Sequence, residues 1–234
     1  MKIFLMYYDR YKEATTSKML QTEHIVLCHN NADKFTCIGP QGELIQTNEP
    51  KGIQNNFNYG LRMLNPGEWG IFMSDDCVGA KKIQNGKFVD CSVMESLNEL
   101  LTIIPKADKM GVKLIGLNST GNPFYAKTKY SKYGLVDGRC FAIKRTEFEF
   151  HPIINTIPDY YASAYHLNKY GGNLILNYTF IDFKRYEKGG LGSEEDRIHD
   201  KMKDVNIMLS TFPKNVQLKD KPGQPKNSHI IIKR

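Results

Sequence analysis

The chain has 234 residues, 41% of them hydrophobic and 24% charged, with a net charge of +7. That length and composition suit one globular domain with a sizeable core and exclude fibrous or disordered chains. No apolar run approaches the roughly 20 residues of a membrane-spanning helix, and "MKIFLMYYDR" meets Asp9 and Arg10 too early for a signal peptide.

In chain order, residues 1–8 predict a strand, followed by a loop entering a helix with Thr15, Thr16 and Ser17 as cap candidates. "HIVLCHN" (24–30) predicts a second strand, then short extended structure with turns at Gly39-Pro40 and Glu49-Pro50. Residues 53–64 place Ile53, Phe57, Leu61 and Leu64 on one helical stripe, ended by "NPGE". "WGIFM" (69–73) predicts a buried strand opened by Trp69, which is expected to pack in the core. Residues 92–109 predict a helix broken near Pro105, and 112–118 and 138–145 predict strands. Residues 158–172 predict a helix closed by Gly171-Gly172, and 173–183 an extended segment. A Gly-rich loop, an amphipathic helix over 194–213 and an edge strand at "HIIIKR" complete the chain. Strands alternating with helices imply a mainly parallel α/β sheet flanked by helices, whose ligands bind beyond the carboxyl ends of the strands.

The five cysteines (28, 37, 77, 91 and 140) show no CxxC or Cys/His metal spacing. They fit a reducing cytoplasm and argue against structural zinc. The six histidines show no HExxH spacing and read as surface or packing residues, His199 in the last helix being the one to check for metal contact.

The positive charge is clustered. Residues 201–234 hold eight Lys/Arg against two Asp, and residues 122–147 hold six basic against two acidic residues. The second stretch interleaves Lys127, Lys129, Lys132 and Arg139 with Phe124, Tyr125, Tyr130 and Tyr133. Cations bind phosphates with counterion release, and aromatic faces stack on bases. The other reading is an ordinary lysine-rich surface.

At "FMSDD" a buried strand runs into two adjacent carboxylates, Asp75 and Asp76. Either they form a solvated loop, or they grip a hard cation, Mn²⁺ or Mg²⁺, whose other ligands are substrate phosphates and water. Asp159 in "PDYY" suits a helix N-terminus electrostatically and also suits a general base. "EKGGLGSEEDR" sets Gly189, Gly190 and Gly192 beside Lys184, Arg185, Lys188 and Arg197: a hairpin tip, or a lid whose amides approach a diphosphate.

Taken together, "YYDRYKEATT", "FMSDDCVGA", "DGRCFAIKR", "IPDYYASAYHLNKYGG" and "YEKGGLGSEEDR" resemble the TET-associated glycosyltransferases, over roughly residues 1–218. These are GT-A-fold enzymes, including phage members that glycosylate 5-hydroxymethylpyrimidines in DNA. The resemblance implies one GT-A-like (Rossmann-like) domain over 1–218 with a basic tail or edge strand over 219–234. It implies sugar transfer, glucose or arabinose, from a UDP-sugar to 5-hydroxymethylcytosine in double-stranded DNA, in the host cytoplasm if the protein is phage-encoded. Asp75 and Asp76 would hold the metal, with Ser74 standing where a fuller acidic triplet has its first acid. Tyr7, Arg10, Thr15, Asn55, Asn56, Asp75, Gly189, Gly190 and Arg197 would contact the nucleotide sugar, and Asp159 would face the acceptor. Lys127, Lys129, Tyr130, Lys132, Tyr133 and Arg139 would contact DNA. The alternatives are a GT-A transferase acting on a glycan, lipid or protein, and a non-catalytic nucleic-acid-binding protein.

Overall fold

A computed structural model describes residues 1–7, 14–28, 38–50, 52–126, 128–184, 194–219 and 229–233, without the side chains of 125 and 194–199. Its frame is an eight-stranded sheet in the order β3-β2-β1-β4-β9-β7-β10-β8. The strands are β1 (Lys2–Tyr7), β2 (His24–Cys28), β3 (Gly42–Gln46), β4 (Trp69–Ser74), β7 (Leu114–Leu117), β8 (Tyr130–Ser131), β9 (Cys140–Lys144) and β10 (Leu174–Leu176). β3, β2, β1 and β4 are mutually parallel. β9 runs against both β4 and β7, β10 is parallel to β7, and β8 is antiparallel to β10. Six strands therefore share one direction, the mixed, mainly parallel α/β sheet that the sequence predicts.

Alternation along the central strands builds a core on each face. Ile3, Leu5 and Tyr7 of β1 and Trp69, Ile71 and Met73 of β4 meet Leu97, Leu100 and Ile103 of α3 (Val93–Lys109). Phe4, Met6 and Phe72 face the other way, onto Phe57 and Leu61 of α2 (Ile53–Arg62) and Ala162 of α4 (Pro158–Tyr170). Phe72 stacks between Phe4 and Phe141 at centroid distances of 4.9 and 5.4 Å. A third cluster joins α4 to Val205 and Met208 of α5 (Glu194–Thr211) and to Phe212 just after it. It also holds Val216 of β12 (Val216–Leu218) and Ile230 of β13 (Ile230–Ile232), which pair antiparallel.

Three local expectations are corrected, and a fourth feature is added. Thr15, Thr16 and Ser17 do not cap α1 (Thr15–Met19); they lie inside it, and Ala14 precedes it without a side-chain cap. The hydroxyl of Thr16 is used elsewhere, as described below. α3 is not broken at Pro105: Ile103 and Ala107, buried on either side of it, hold the helix on the sheet, and Ser92 with Glu95 forms a capping box at its start. Residues 173–183 are not one extended segment but β10 and β11 (Thr179–Phe183), which join different sheets.

Fourth, residues 77–91 carry a hairpin that periodicity does not reveal. β5 (Cys77–Gln84) and β6 (Lys87–Cys91) pair antiparallel, and β11 pairs β5 to complete a three-stranded sheet. The available signal is Asn85-Gly86 at the turn, both with positive φ (49° and 76°), the two-residue hairpin chemistry favoured by strand twist. Among the described residues no helix is long and apolar enough to cross a membrane.

Candidate functional site

The site lies along the carboxyl edge of the parallel strands. β4 ends at Ser74, and Asp75 and Asp76 lead directly into β5. Both aspartates are buried, at 3% and 5% exposure, so they are not a solvated loop.

Their backbone is clamped from two elements. Thr16 Oγ1 donates to the Ser74 carbonyl (2.8 Å) and accepts the Cys77 amide (2.9 Å). The Asp75 carbonyl accepts the Thr16 amide at 3.1 Å and the Thr15 hydroxyl at 3.3 Å. The Asp76 carbonyl accepts the Lys184 amide just after β11 (3.1 Å). On the side chains, the Ser74 hydroxyl donates to Asp76 Oδ1 at 2.5 Å. Ser74 thus orients an acid where an acidic triplet would have supplied one more charge.

An open cleft of about 330 Å³ adjoins this turn. One wall is apolar: Met6 at the end of β1, Ile53 and Phe57 of α2, and Pro158. The other is polar: Ser74, Asp137, Arg139, Asn155, Thr156 and Asp159. Asp75 and Asp76 follow Ser74 in the chain and do not themselves line the cleft. Asp159 occupies the first turn of α4, and its Oδ1 accepts the Tyr160 amide (3.0 Å) while Oδ2 accepts the Gly138 amide (3.4 Å). Burial of the carboxyl, reinforced by the charge of Asp137, pushes its pKa up to about 7, where a carboxylate exchanges protons near neutrality. Asp159 does stand at the start of α4, and its raised pKa is compatible with the proton-acceptor expectation.

The loop leading into α4 is anchored by Asp204 of α5. Its Oδ2 accepts the Asn155 amide at 3.1 Å, and the Thr156 amide and hydroxyl at 2.7 Å each. Nothing in the sequence singles out Asp204; it lies within the ordinary charge pattern of an amphipathic helix. Asp137 was equally unmarked, two residues before Arg139 in a turn that reads as a loop.

The other expected donor-side residues are spread around the edge. Tyr7 ends β1 and packs on the α3 face, opposite Met6. Asn56 accepts the Thr47 hydroxyl (2.7 Å) and Asn55 donates to the Pro50 carbonyl (3.0 Å), so both brace the connection from β3 to α2. Arg10, Gly189, Gly190 and Lys127 lie outside the described residues, as do the side chains of Arg197 and His199 and the segment 185–193.

Among the expected DNA-contacting residues, Arg139 is in the cleft itself. Its guanidinium is paired with Asp137 through Nε (2.8 Å) and Nη2, and Nη2 also donates to the Ser119 carbonyl (3.2 Å). Lys129 precedes β8 at the carboxyl edge, since Tyr130 pairs with Leu176, the last residue of β10. Lys132 and Tyr133 lie beyond the other end of β8; Tyr133 is 38% exposed. Tyr130 is half-buried, edge-on to Tyr178 (6.0 Å) and covered by Lys106, 4.1 Å from its ring centre.

The thiols nearest the acids are not nucleophiles: burial, ahead of the charges of Asp76 and Asp182, pushes Cys77 up to about 12, and burial raises Cys140 as well. Among the described residues no group of three or more His, Cys, Asp or Glu side chains forms a metal site. Asp75 and Asp76 nevertheless fit a hard divalent ion of the Mg²⁺ or Mn²⁺ type, which takes one or two protein carboxylates and fills its shell with phosphate oxygens and water. They do not fit a site needing nitrogen or sulfur ligands.

No protein-family model and no curated protein matches the chain. Solved structures do match in shape. The glucosyl-3-phosphoglycerate synthase of Mycobacterium tuberculosis, solved with Mn²⁺, UDP and phosphoglyceric acid, superposes with a TM-score of 0.57 and 9% identity. That match covers 95% of this chain and 83% of the synthase. A further mycobacterial protein gives 0.55 and 9%, covering 98% of this chain and 81% of its own. Sequence identity is too low for more than architecture, and the architecture is clear: the chain has the mixed, mainly parallel α/β fold of the GT-A glycosyltransferases.

Proposed function

We propose that the protein is a metal-dependent glycosyltransferase that moves glucose or arabinose from a UDP-sugar to 5-hydroxymethylcytosine in duplex DNA. One observation carries the transferase reading. A buried aspartate pair directly follows Ser74, and Ser74 lines the same cleft as a carboxylate on α4 that is pushed up to about 7. The GT-A fold supports a nucleotide-sugar donor, and the synthase of like fold that was solved with Mn²⁺ and UDP supports both UDP and a divalent ion.

In this reading Asp75 and Asp76 hold the ion, and Ser74 orients Asp76 for it. When bound, the ion neutralises the diphosphate as it leaves the sugar. Thr15 and Thr16 keep the acid turn in place. Tyr7, Arg10, Asn55, Asn56, Gly189, Gly190 and Arg197 belong to the donor side. Asp159 takes the proton from the acceptor hydroxyl as its oxygen attacks the anomeric carbon. Met6, Ile53, Phe57 and Pro158 form the apolar side of the cleft in which that step would occur.

The DNA acceptor is supported by charge. From β4 to β8 is four strand spacings, roughly 19 Å, and a duplex of that length carries about 11 phosphates at one per 1.7 Å. Lys129 at that edge, with Lys127 and the basic tail, supplies counter-charge, and Phe124, 63% exposed, offers aromatic surface, whereas Lys132 and Tyr133 lie past the far end of β8.

The test is transfer of labelled sugar from UDP-glucose and UDP-arabinose, with Mn²⁺, to duplexes with and without hydroxymethylcytosine. Transfer only to the modified duplex is expected, lost in Asp76→Ala. Label reaching no acceptor from either donor refutes the reading. A small-molecule or glycan acceptor is the second reading, because the synthase of like fold was solved with the small anion phosphoglyceric acid. Replacing DNA with hydroxy acids or oligosaccharides in the same assay separates the two.

A further inference from the structure

The turn Asp137-Gly138-Arg139 touches both halves of the site. The Arg139 carbonyl accepts the Ser74 amide (2.8 Å), one residue before the acid pair. The Gly138 amide donates to Asp159 Oδ2, and Gly138 permits that approach because a Cβ there would lie 3.0 Å from the Asp159 Cβ. Asp137 closes the turn on itself, Oδ1 accepting both the Arg139 amide (2.9 Å) and Nε (2.8 Å).

We propose that this turn is the positioning element of the site: Asp137, clamped by Arg139, fixes the charge and orientation of Asp159 and sets it in register with the Ser74–Asp76 turn. Arg139 is then a cation of the cleft, occupied by Asp137, and not a DNA phosphate contact. The inference rests on the reading of Asp159 as the acceptor-side base. Among the described residues that share the cleft with Asp159 or adjoin it, Asp137 and Arg139 come from the turn, Tyr160 from its own helix, Asn155 and Thr156 from the loop before it and Ser74 from β4, while β1 and α2 present Met6, Ile53 and Phe57. Replacing either member of the ion pair therefore changes the charge at Asp159 in opposite senses.

The experiment is a carbon-13 carboxylate titration of Asp159, assigned with Asp159→Asn, in wild type, Asp137→Asn and Arg139→Gln. The wild type is expected to titrate near 7. Asp137→Asn lowers that midpoint by about one unit, a tenfold change in acidity, and Arg139→Gln raises it. The acid limb of kcat/KM for sugar transfer moves with each. Chemical shifts elsewhere in the spectrum certify the fold of each variant. A midpoint unmoved in Asp137→Asn, or moved the same way in both variants, overturns the proposal. If the shifts are as expected but wild type transfers no sugar to any acceptor, the positioning role stands and the glycosyltransferase reading falls. A DNA-binding salt slope lowered by one contact in Arg139→Gln, with the Asp159 midpoint unchanged, also overturns it.

Discussion

Thr16→Val tests whether the acid turn is held by the backbone bonds that surround it. Thr16 is fully buried, and valine keeps its shape while removing the hydroxyl. Two groups lose a partner: the Cys77 amide (2.9 Å) and the Ser74 carbonyl (2.8 Å). A buried polar group deprived of its bond costs about 1–3 kcal/mol. The carbonyl keeps a second lone pair and falls at the low end, so the sum is about 3 kcal/mol. For a chain of this size each kcal/mol moves Tm by about 2–4 °C, which predicts a fall of about 6–12 °C. Thr15→Val is the control: its single 3.3 Å bond goes to the Asp75 carbonyl, which also accepts the Thr16 amide, and its loss should cost less than about 1 kcal/mol. Urea denaturation measures both, and calorimetry of UDP binding with Mn²⁺ shows whether the loosened turn also weakens the donor. A Thr16→Val midpoint equal to that of Thr15→Val would refute the clamp.

Three further outcomes follow from single residues. Asp159 titrates near 7 in the fold and near 4 unfolded, so its stabilising contribution is complete below about pH 4 and is lost as pH rises through 7. Asp159→Asn cannot ionise and should be more stable than wild type at pH 8 by about 2 kcal/mol, half the fully buried value because the side chain opens onto the cleft; a urea comparison at pH 5 and 8 showing no growth in that difference counts against it. His166 slopes the other way. Buried beneath Phe148 and Tyr170, it is lowered to about 4, so its contribution is present above 6.5 and lost as pH falls through 4. His166→Phe should flatten that acid loss, worth about 3 kcal/mol, and an unchanged acid midpoint argues against it. Gly86→Ala meets open space but places a methyl at φ 76°, so it should cost about 1 kcal/mol through backbone strain alone. Donor binding should stay at the wild-type value, and a weakened donor would mean that the β5–β6 turn reaches the site.

What the sequence disclosed and what it withheld divide by interaction range. β4 and α2 are legible because burial imposes a period on their own residues: Phe57 and Leu61 sit one helical turn apart, and both reach the core. The close of α4 is legible because Gly171 takes φ 75°, which a glycine-glycine pair announces. β8 is not legible, being two residues long and defined only by β10 beside it. The hydroxyls of Thr15, Thr16 and Ser17 look like caps because their local chemistry is that of caps, yet the partners of Thr16 are some 60 positions away. The burial of Asp75 and Asp76 has the same origin. Charge clustering marked Arg139 as basic, but only tertiary structure supplies the Ser119 carbonyl that, with Asp137, engages it.

The acid pair itself shows how the backbone fixes the carboxylates of the candidate site. Adjacent buried carboxylates repel, and taking each out of water costs several kcal/mol unless an opposite charge offsets it. A turn free to relax would swing both to solvent. Here it cannot: the carbonyls of Ser74, Asp75 and Asp76 and the amide of Cys77 are each bonded to α1 or to Lys184 after β11. Those bonds set the backbone, and the backbone sets where the carboxylates go. In the proposed reading, that fixed turn is what presents the two carboxylates to a divalent ion with its diphosphate. Across the cleft, burial and the charge of Asp137 push Asp159 up to about 7, a value that would suit the proposed transfer of a proton from a hydroxyl.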